Sequence, residues 1–280
     1  MYEKVNKNHP DKLCDRIGGA IVDLAYAQKT NPKIAGEIVL GHNHCTIIIE
    51  SDVIFKKKDI DNIVYSIVGE RVTLKLIQVP QDFILAGNQE SGFKCGDNGI
   101  FRGKYLNREE RLLSKVARKI CSEFDTDGKY VIDEKDKTLI ICQSCAKEDD
   151  IEDLLENFLT DGWNVVINPL GYWIGGINTD AGAVNRKLGS DMGRAVTGGG
   201  VHFKDCSKAD VSLNIYAHLK AQELEKDIDI YCVIGDDVIT VKDDCDNLVE
   251  KKSYPQIVDE VKKYINDLGG FEKFAEWGLI

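Results

Sequence analysis

Apolar residues recur every three or four positions over residues 11–28, where Leu13, Ile17, Ile21 and Leu24 share one face, and this spacing predicts an amphipathic helix. Two strand-like runs follow at 35–40 and 45–50, then a second helical pattern at 59–70 (Ile60, Ile63, Val64, Ile67) and a strand at 73–79. The order is helix, strand, strand, helix, strand. It returns as a helix at 108–124, strands at 129–133 and 138–144, a helix at 149–160 and a strand at 163–168. A third round offers a helix at 207–224, strands at 229–234 and 238–241, and a helix at 254–268, but no convincing last strand before the chain ends in 269–280. The expectation is an α+β protein of three similar, intertwined units, at 1–81, 95–175 and 176–280. Each brings an amphipathic helix pair to cover one face of a small sheet.

Bulk properties narrow the function classes. The chain has 280 residues, 43% of them hydrophobic, enough for a substantial core. Its apolar runs are strand-sized and its N-terminus is charged, so the expectation is a soluble, cytoplasmic protein with no membrane partner. A net charge of −11 argues against nucleic acid as a partner. The stretch 163–204 breaks that pattern, with four basic residues against two acidic ones and nine of the 25 glycines, which suits a small polyanionic ligand. The nine cysteines form no paired framework. Cys142 and Cys145 make one CxxC, read here as buried thiols at the end of an apolar strand rather than a zinc site.

Individual residues carry candidate chemistry beside plainer readings. In NHPDK at 8–12, Pro10 suits a first helical turn, which places His9 and Asp11 at a helix N-terminus where phosphate is favoured; a simple capping histidine is the plain alternative. Glu37 and Glu50 lie on neighbouring strands, where carboxylates are usually just solvated. Asp97 in GDNG and Asp127 beside Gly128 and Lys129 read equally as turn residues. Between 168 and 210, glycines at 171, 175, 176 and 198–200 free backbone N–H groups to form anion-binding nests, and Arg186, Lys187, Lys204 and Lys208 add positive charge.

Taken together, NHPDKLCDRI, CGDNGIF and NPLGYWIGGINTDAGAVNRK running on to GGGVHFKDCSKAD resemble, in order and internal spacing, the S-adenosylmethionine synthetases. The resemblance implies that family's fold, three units packed around a pseudo-threefold axis, in a homodimer with shared active sites or a homotetramer built from it. It implies ATP and L-methionine as substrates, two Mg²⁺ per site, and K⁺. By the match, His9, Lys129, Arg186, Lys187 and Lys204 are catalytic. ATP is contacted by Glu3, His9, Asp127, Lys129, Tyr172, Trp173, Asp180, Arg186, Lys187, Val201 and Lys204. Methionine is contacted by Glu50, Gln78, Asp97, Asp180 and Lys208, with Gln81 an alternative to Gln78. Asp11 and Asp210 bind magnesium and Glu37 binds potassium. His9 and Asp11 are expected to face the opposite subunit's Asp97 and Lys129. The chain departs from the family pattern in being shorter, in carrying Tyr172-Trp173 for the usual Arg-Phe, and in placing His202 where an apolar or small residue is usual.

The implied reaction is attack of the methionine sulfur on C5′ of ATP, followed by hydrolysis of the expelled tripolyphosphate to phosphate and pyrophosphate. A thioether carries no proton, so no general base is needed, and the chain offers no Ser-His-Asp or Cys-His arrangement. The rival reading is a catalytically inactive homologue that serves as a binding or regulatory subunit.

Overall fold

Pro10 occupies the first turn of helix α1 (Pro10–Gln28), where its fixed φ and missing N–H cost nothing. The structure is a computed structural model that describes residues 1–83, 87, 94–156, 158, 159 and 162–280. After α1 come the hairpin β2 (Ile34–Gly41) and β3 (His44–Ser51), helix α2 (Lys57–Val68) and strand β4 (Thr73–Val79). Helix α2 stops two residues before the expected 70 because Gly69 takes the left-handed conformation (φ 82°), a helix-terminating cap. The second round is α3 (Arg108–Glu123), β6 (Gly128–Asp133), β7 (Thr138–Gln143), α4 (Glu148–Leu155) and β8 (Asn164–Ile167). The far end of the helix expected at 149–160 includes residues outside the described set.

The third round contains the strand that periodicity missed. β10 (Ile228–Cys232) and β11 (Val238–Asp243) are followed by β12 (Leu248–Ser253), antiparallel to β11 and ahead of helix α7 (Tyr254–Leu268). In the first two rounds the last strand comes after the second helix and pairs parallel, β4 with β3 and β8 with β7. β12 reads LVEKKS, too polar for an apolar alternation to register. Residues 271–277 form helix α8 (Phe271–Trp277), which docks on α1. The third long helix, α6 (Ala209–Leu224), starts after Lys208 because the Ser207 N–H donates to Asp205 and leaves that turn non-helical.

Among the described residues, three four-stranded sheets result, and each takes its fourth strand from a distant part of the chain. β1 (Tyr2–Val5) pairs with β6, β5 (Gly99–Gly103) with β10, and the two-residue β9 (Gly182–Ala183) with β2. A further bridge joins Ala35 of β2 to Lys204. One face of each sheet is buried. Ile34, Ile38 and Leu40 of β2 and Cys45, Ile47 and Ile49 of β3 enter the larger core; Tyr130, Ile132, Leu139 and Ile141 join α3 and α4 in a second. The opposite faces are open in the single chain and partly apolar, with Val39, Ile48, Ile77, Ile100, Ile140, Tyr231 and Val238 exposed. Among the described residues, no helix is long and apolar enough to cross a membrane. Cys142 is half-buried and Cys145 exposed, so the expectation of two buried thiols fails: the strand ends at Gln143, and Cys145 turns outward at φ 54°.

Close approach makes Gly103 a sensitive point. A Cβ there would lie 1.9 Å from the Ala217 carbonyl oxygen of α6. Gly103→Ala should therefore cost about 1–3 kcal/mol, as overpacked cores do, read as a lower urea midpoint with unchanged slope. An unchanged midpoint would mean that β5 and α6 separate freely.

Candidate active site

The site is built outward from the N-terminus of α1. The His9 Nδ1 accepts from the Asp11 N–H at 3.2 Å, so the neutral ring carries its proton on Nε2, pointing a donor away from the helix. Burial, reinforced by the Lys187 and Lys129 charges, pushes the His9 pKa down to about 4 despite the nearby carboxylates of Asp11 and Asp180. The buried Asp11 carboxylate accepts from the Ala183 N–H at 2.8 Å and meets Lys187 at 2.9 Å and Arg186 at 3.6 Å. These contacts follow from topology: β9 brings residues 182–187 against β2 and the start of α1. A Cβ at Gly182 would sit 2.1 Å from the Pro10 carbonyl oxygen, so glycine is what allows the approach.

Lys129 reaches the same cluster from β6, 3.1 Å from Glu3 on the paired strand β1. Asp127, just before β6, accepts from the Gly176 N–H at 3.3 Å. Gly175 is wedged between it and Trp173: a Cβ there would lie 2.6 Å from the indole and 2.7 Å from the Asp127 carboxylate. The indole is held by its Nε1–H, which donates to Asn168 at 3.2 Å, whereas Tyr172 is largely exposed. Of the two aromatic candidates, Trp173 is the one in the cluster. His9 and Asp11 thus sit with Lys129 of their own chain, which corrects the expectation that Lys129 reaches them from a partner. The strand exchange that puts β1 beside β6 explains why.

A second cluster lies toward the other end of β2. Lys204 contacts Asp210 at 2.5 Å and the Gly200 carbonyl at 3.2 Å. The Gly199 backbone presses on the Asp210 carboxylate so closely that a Cβ would come within 1.9 Å of it. With Asp97, Ile100, Arg102 and Thr197 these residues line an open cavity of about 530 Å³. The Ala35 bridge puts Lys204 in one cross-strand row with Glu50, on the open face that also carries Glu37. Ala35 and Val39 mark the two clusters along β2, and four residues of strand span about 13 Å. Lys208 precedes α6 and faces the buried Asp205.

Two expected residues are turned elsewhere. Gln78 clamps the Phe55 backbone, its amide oxygen accepting at 2.9 Å and its nitrogen donating at 3.0 Å, while the Gln81 amide oxygen is buried with no hydrogen-bond partner among the described residues. Val201 lies in the apolar core, so its side chain is not available to a ligand.

Sequence reasoning also missed a buried group behind the site. The Lys12 ammonium lies 2.6 Å from Asp191, 3.1 Å from Asp15 and 3.4 Å from the His202 ring. Asp15, Asp191 and His202 are grouped closely enough to ligate a metal ion, but the ammonium is the cation already among them. Burial opposes the charge on Lys12, and the Asp191 and Asp15 carboxylates overcome it, so its pKa is raised. The only sequence signal was Lys12 within NHPDK, where it read as one more helix residue.

The donor set is compatible with magnesium in one specific sense. Asp11 and Asp210 stand apart, each beside lysines, and Mg²⁺ is commonly held by one or two carboxylates together with substrate phosphates. Each carboxylate could take an ion while its lysine turns to a phosphate. Glu37 presents an exposed carboxylate from the open face.

Asp127 gives this electrostatic arrangement a measurable consequence. Burial, followed by the Asp180 and Asp11 charges, pushes its pKa up to about 6. A raised carboxyl pKa favours folding below the unfolded value of 3.8, and that contribution is lost as pH rises through about 6. Asp127→Asn should therefore stabilise the chain by up to about 3 kcal/mol at pH 8 and by roughly half that at pH 5. His9 titrates in the opposite sense but in both proteins, so it cancels. Thermal unfolding at the two pH values checks this; an equal difference at both would remove the buried charge from the account.

Residues 1–75 match the model of the S-adenosylmethionine synthetase N-terminal domain. An S-adenosylmethionine synthase of Mesoplasma florum is 28% identical over 79% of this chain and 74% of its own length. One from Maricaulis maris is 28% identical over 75% of this chain and 69% of its own length. A solved structure of an unusual S-adenosylmethionine synthetase from Campylobacter jejuni superposes with a TM-score of 0.76 at 18% identity, covering 100% of this chain and 95% of that one, which establishes the shared fold. Over most of its length the chain is thus similar in sequence to S-adenosylmethionine synthases, and it shares the fold of a solved S-adenosylmethionine synthetase.

Proposed function

We propose that the chain makes S-adenosylmethionine from ATP and L-methionine, by sulfur attack on C5′ of ATP with release and hydrolysis of tripolyphosphate. The observation that carries the reading is convergence: His9, Asp11, Asp127, Lys129, Arg186 and Lys187, up to 178 positions apart in the sequence, meet around one helix N-terminus. The relatives' names support it. Because the sulfur needs no base, the work lies in orienting it and in meeting charge on the departing oxygens. Orientation can be worth roughly 7–11 kcal/mol. His9 offers a neutral Nε2–H to the leaving oxygen, and Lys129, Arg186, Lys187 and Lys204 hold the polyphosphate. Trp173 stacks on adenine, Asp127 takes the adenosine and Glu3 adds an ATP contact. Asp180 bridges the two substrates, while Glu50, Asp97 and Lys208 receive methionine; Gln81, whose amide oxygen has no hydrogen-bond partner among the described residues, replaces Gln78 there. Asp11 and Asp210 would hold Mg²⁺, whose role is to neutralise phosphate charge. Glu37 is the candidate for K⁺.

One observation favours the rival reading of a non-catalytic homologue: the commitment of Gln78 to Phe55 leaves the methionine pocket less complete than the nucleotide side. Incubation with ATP, methionine, Mg²⁺ and K⁺ separates the two. Mass detection of S-adenosylmethionine with phosphate release supports the enzyme, and nucleotide binding without product supports the rival. In the active protein, Lys204→Met or His9→Asn should lower kcat by about 10²–10³ while leaving the fold intact. Normal kcat in either variant would remove that residue from its role.

A homodimer follows from the same reading. The open sheet faces carry exposed Val39, Ile48, Ile77 and Ile140, and pairing them across a twofold axis would bury them. That pairing would set the Asp97–Lys204–Asp210 cluster of one protomer against the His9–Asp11 cluster of its partner. Co-refolding inactive His9→Asn with inactive Asp210→Asn should then restore part of the activity, through mixed dimers that carry one intact site. Recovery of none, with mixed dimers verified, would mean that each site is built within one chain.

A further inference from the structure

Two side chains that the reaction does not use join the two cationic segments. The Asn185 side chain accepts from the His202 N–H at 2.9 Å and donates to the His202 carbonyl at 3.2 Å, a two-bond clamp between the segment bearing Arg186 and Lys187 and the loop bearing Lys204. The Asn185 N–H in turn donates to Asp15 of α1 at 2.7 Å. The His202 ring reaches Asp191 at 3.0 Å, so the loop is tied to α5 (Leu188–Met192) as well. Gly200 lies directly over the clamp, where a Cβ would stand 2.3 Å from the Asn185 amide.

We propose that Asn185 and His202 are positioning residues that fix the Gly198–Gly200 loop and Lys204 on the frame of α1, α5 and the Arg186–Lys187 segment, so that Lys204 is presented in a fixed position to the polyphosphate held across the dimer interface. Three consecutive glycines have no side chains to hold a shape and retain much backbone freedom. Stabilisation of developing charge depends on donors being in place beforehand. The clamp supplies that order at the end of the loop nearest Lys204. The inference rests on the polyphosphate role assigned above to Arg186, Lys187 and Lys204.

The test is a double-mutant cycle between Asn185→Gly and Lys204→Met, read both in turnover and in calorimetric binding of inorganic tripolyphosphate with Mg²⁺. Asn185 has a left-handed backbone (φ 59°) that glycine adopts readily, so the variant removes the clamp without straining the chain. Asn185→Gly alone should weaken tripolyphosphate binding and lower kcat by about tenfold, yet cost less than about twofold in the Lys204→Met background, as coupled residues do. A residue that merely supports the fold would give equal losses in both backgrounds, and that result overturns the proposal. His202→Leu should reproduce the loss and His202→Gln, which keeps a donor toward Asp191, should recover most of it; equal defects in the two would exclude the ring from the clamp. A wild-type chain that binds tripolyphosphate but forms no product would sink the transfer reaction while the binding cycle still decides the clamp. One that binds no tripolyphosphate overturns both.

Discussion

The buried ammonium of Lys12, held between Asp15 and Asp191, is the contact on which the placement of the site depends. All three groups are fully buried, and removing one partner from such an arrangement typically costs about 3–5 kcal/mol, because an uncompensated charge stays behind. The value of the pair lies in geometry more than in net stability, since well-packed apolar residues could fill the same volume without desolvating ions. What it fixes is α1 relative to α5. His9 and Asp11 stand at one end of α1, while Arg186 and Lys187 lead into α5, so one ion pair aligns the helix-start donors with the basic segment. Both chain ends are drawn into the same knot. Lys4 donates to the carbonyls of Ser190, Trp277 and Ile280, and the Leu279 N–H donates to the Asp191 carbonyl.

The site's cations differ from this core in being replaceable. Lys129 and Glu3 are each 44% exposed, and such surface pairs are worth about 0–1 kcal/mol. Lys204 and Asp210 are less exposed but border an open cavity. A lysine that leaves a weak carboxylate partner for a phosphate gives up little, and the carboxylate it leaves is then free for a metal ion. The buried pair behind the site and the more exposed pairs within it are complementary: the first keeps the donors aligned while the second are free to change partners.

Local patterns were legible where one residue's neighbours in sequence are its neighbours in space. The spacing of Leu13, Ile17 and Ile21 marked α1, the run from Thr73 to Val79 marked β4, and Pro10 marked a helix start. The failures share a cause. β12 was missed because its only apolar residues are Leu248 and Val249 and its place is set by pairing with β11. The Gln78 clamp was not legible because its partner, the Phe55 backbone, lies 23 positions away. The site residues were recognisable as motifs, but which of them meet depends on non-local pairings, Val39 with Ala183, Val5 with Lys129 and Ala35 with Lys204. No periodicity reports these. Asn185 carried no signal, and His202 stood out only as an unusual residue at its place, because their roles are hydrogen bonds to each other's segment.

The charge balance of the first cluster sharpens what it can hold. Lys129, Arg186 and Lys187 bring three positive charges against the four carboxylates of Glu3, Asp11, Asp127 and Asp180. A pocket made for a bare polyanion would carry an excess of cations, as like charges cost more when partly buried. Here the excess is acidic, and the strain is visible in the upward shift of Asp127, where burial is compounded by Asp180 and Asp11. Divalent cations arriving with the phosphates would remove that strain and add their own attraction for the leaving group. The arrangement therefore fits a metal-bound polyphosphate better than a free one.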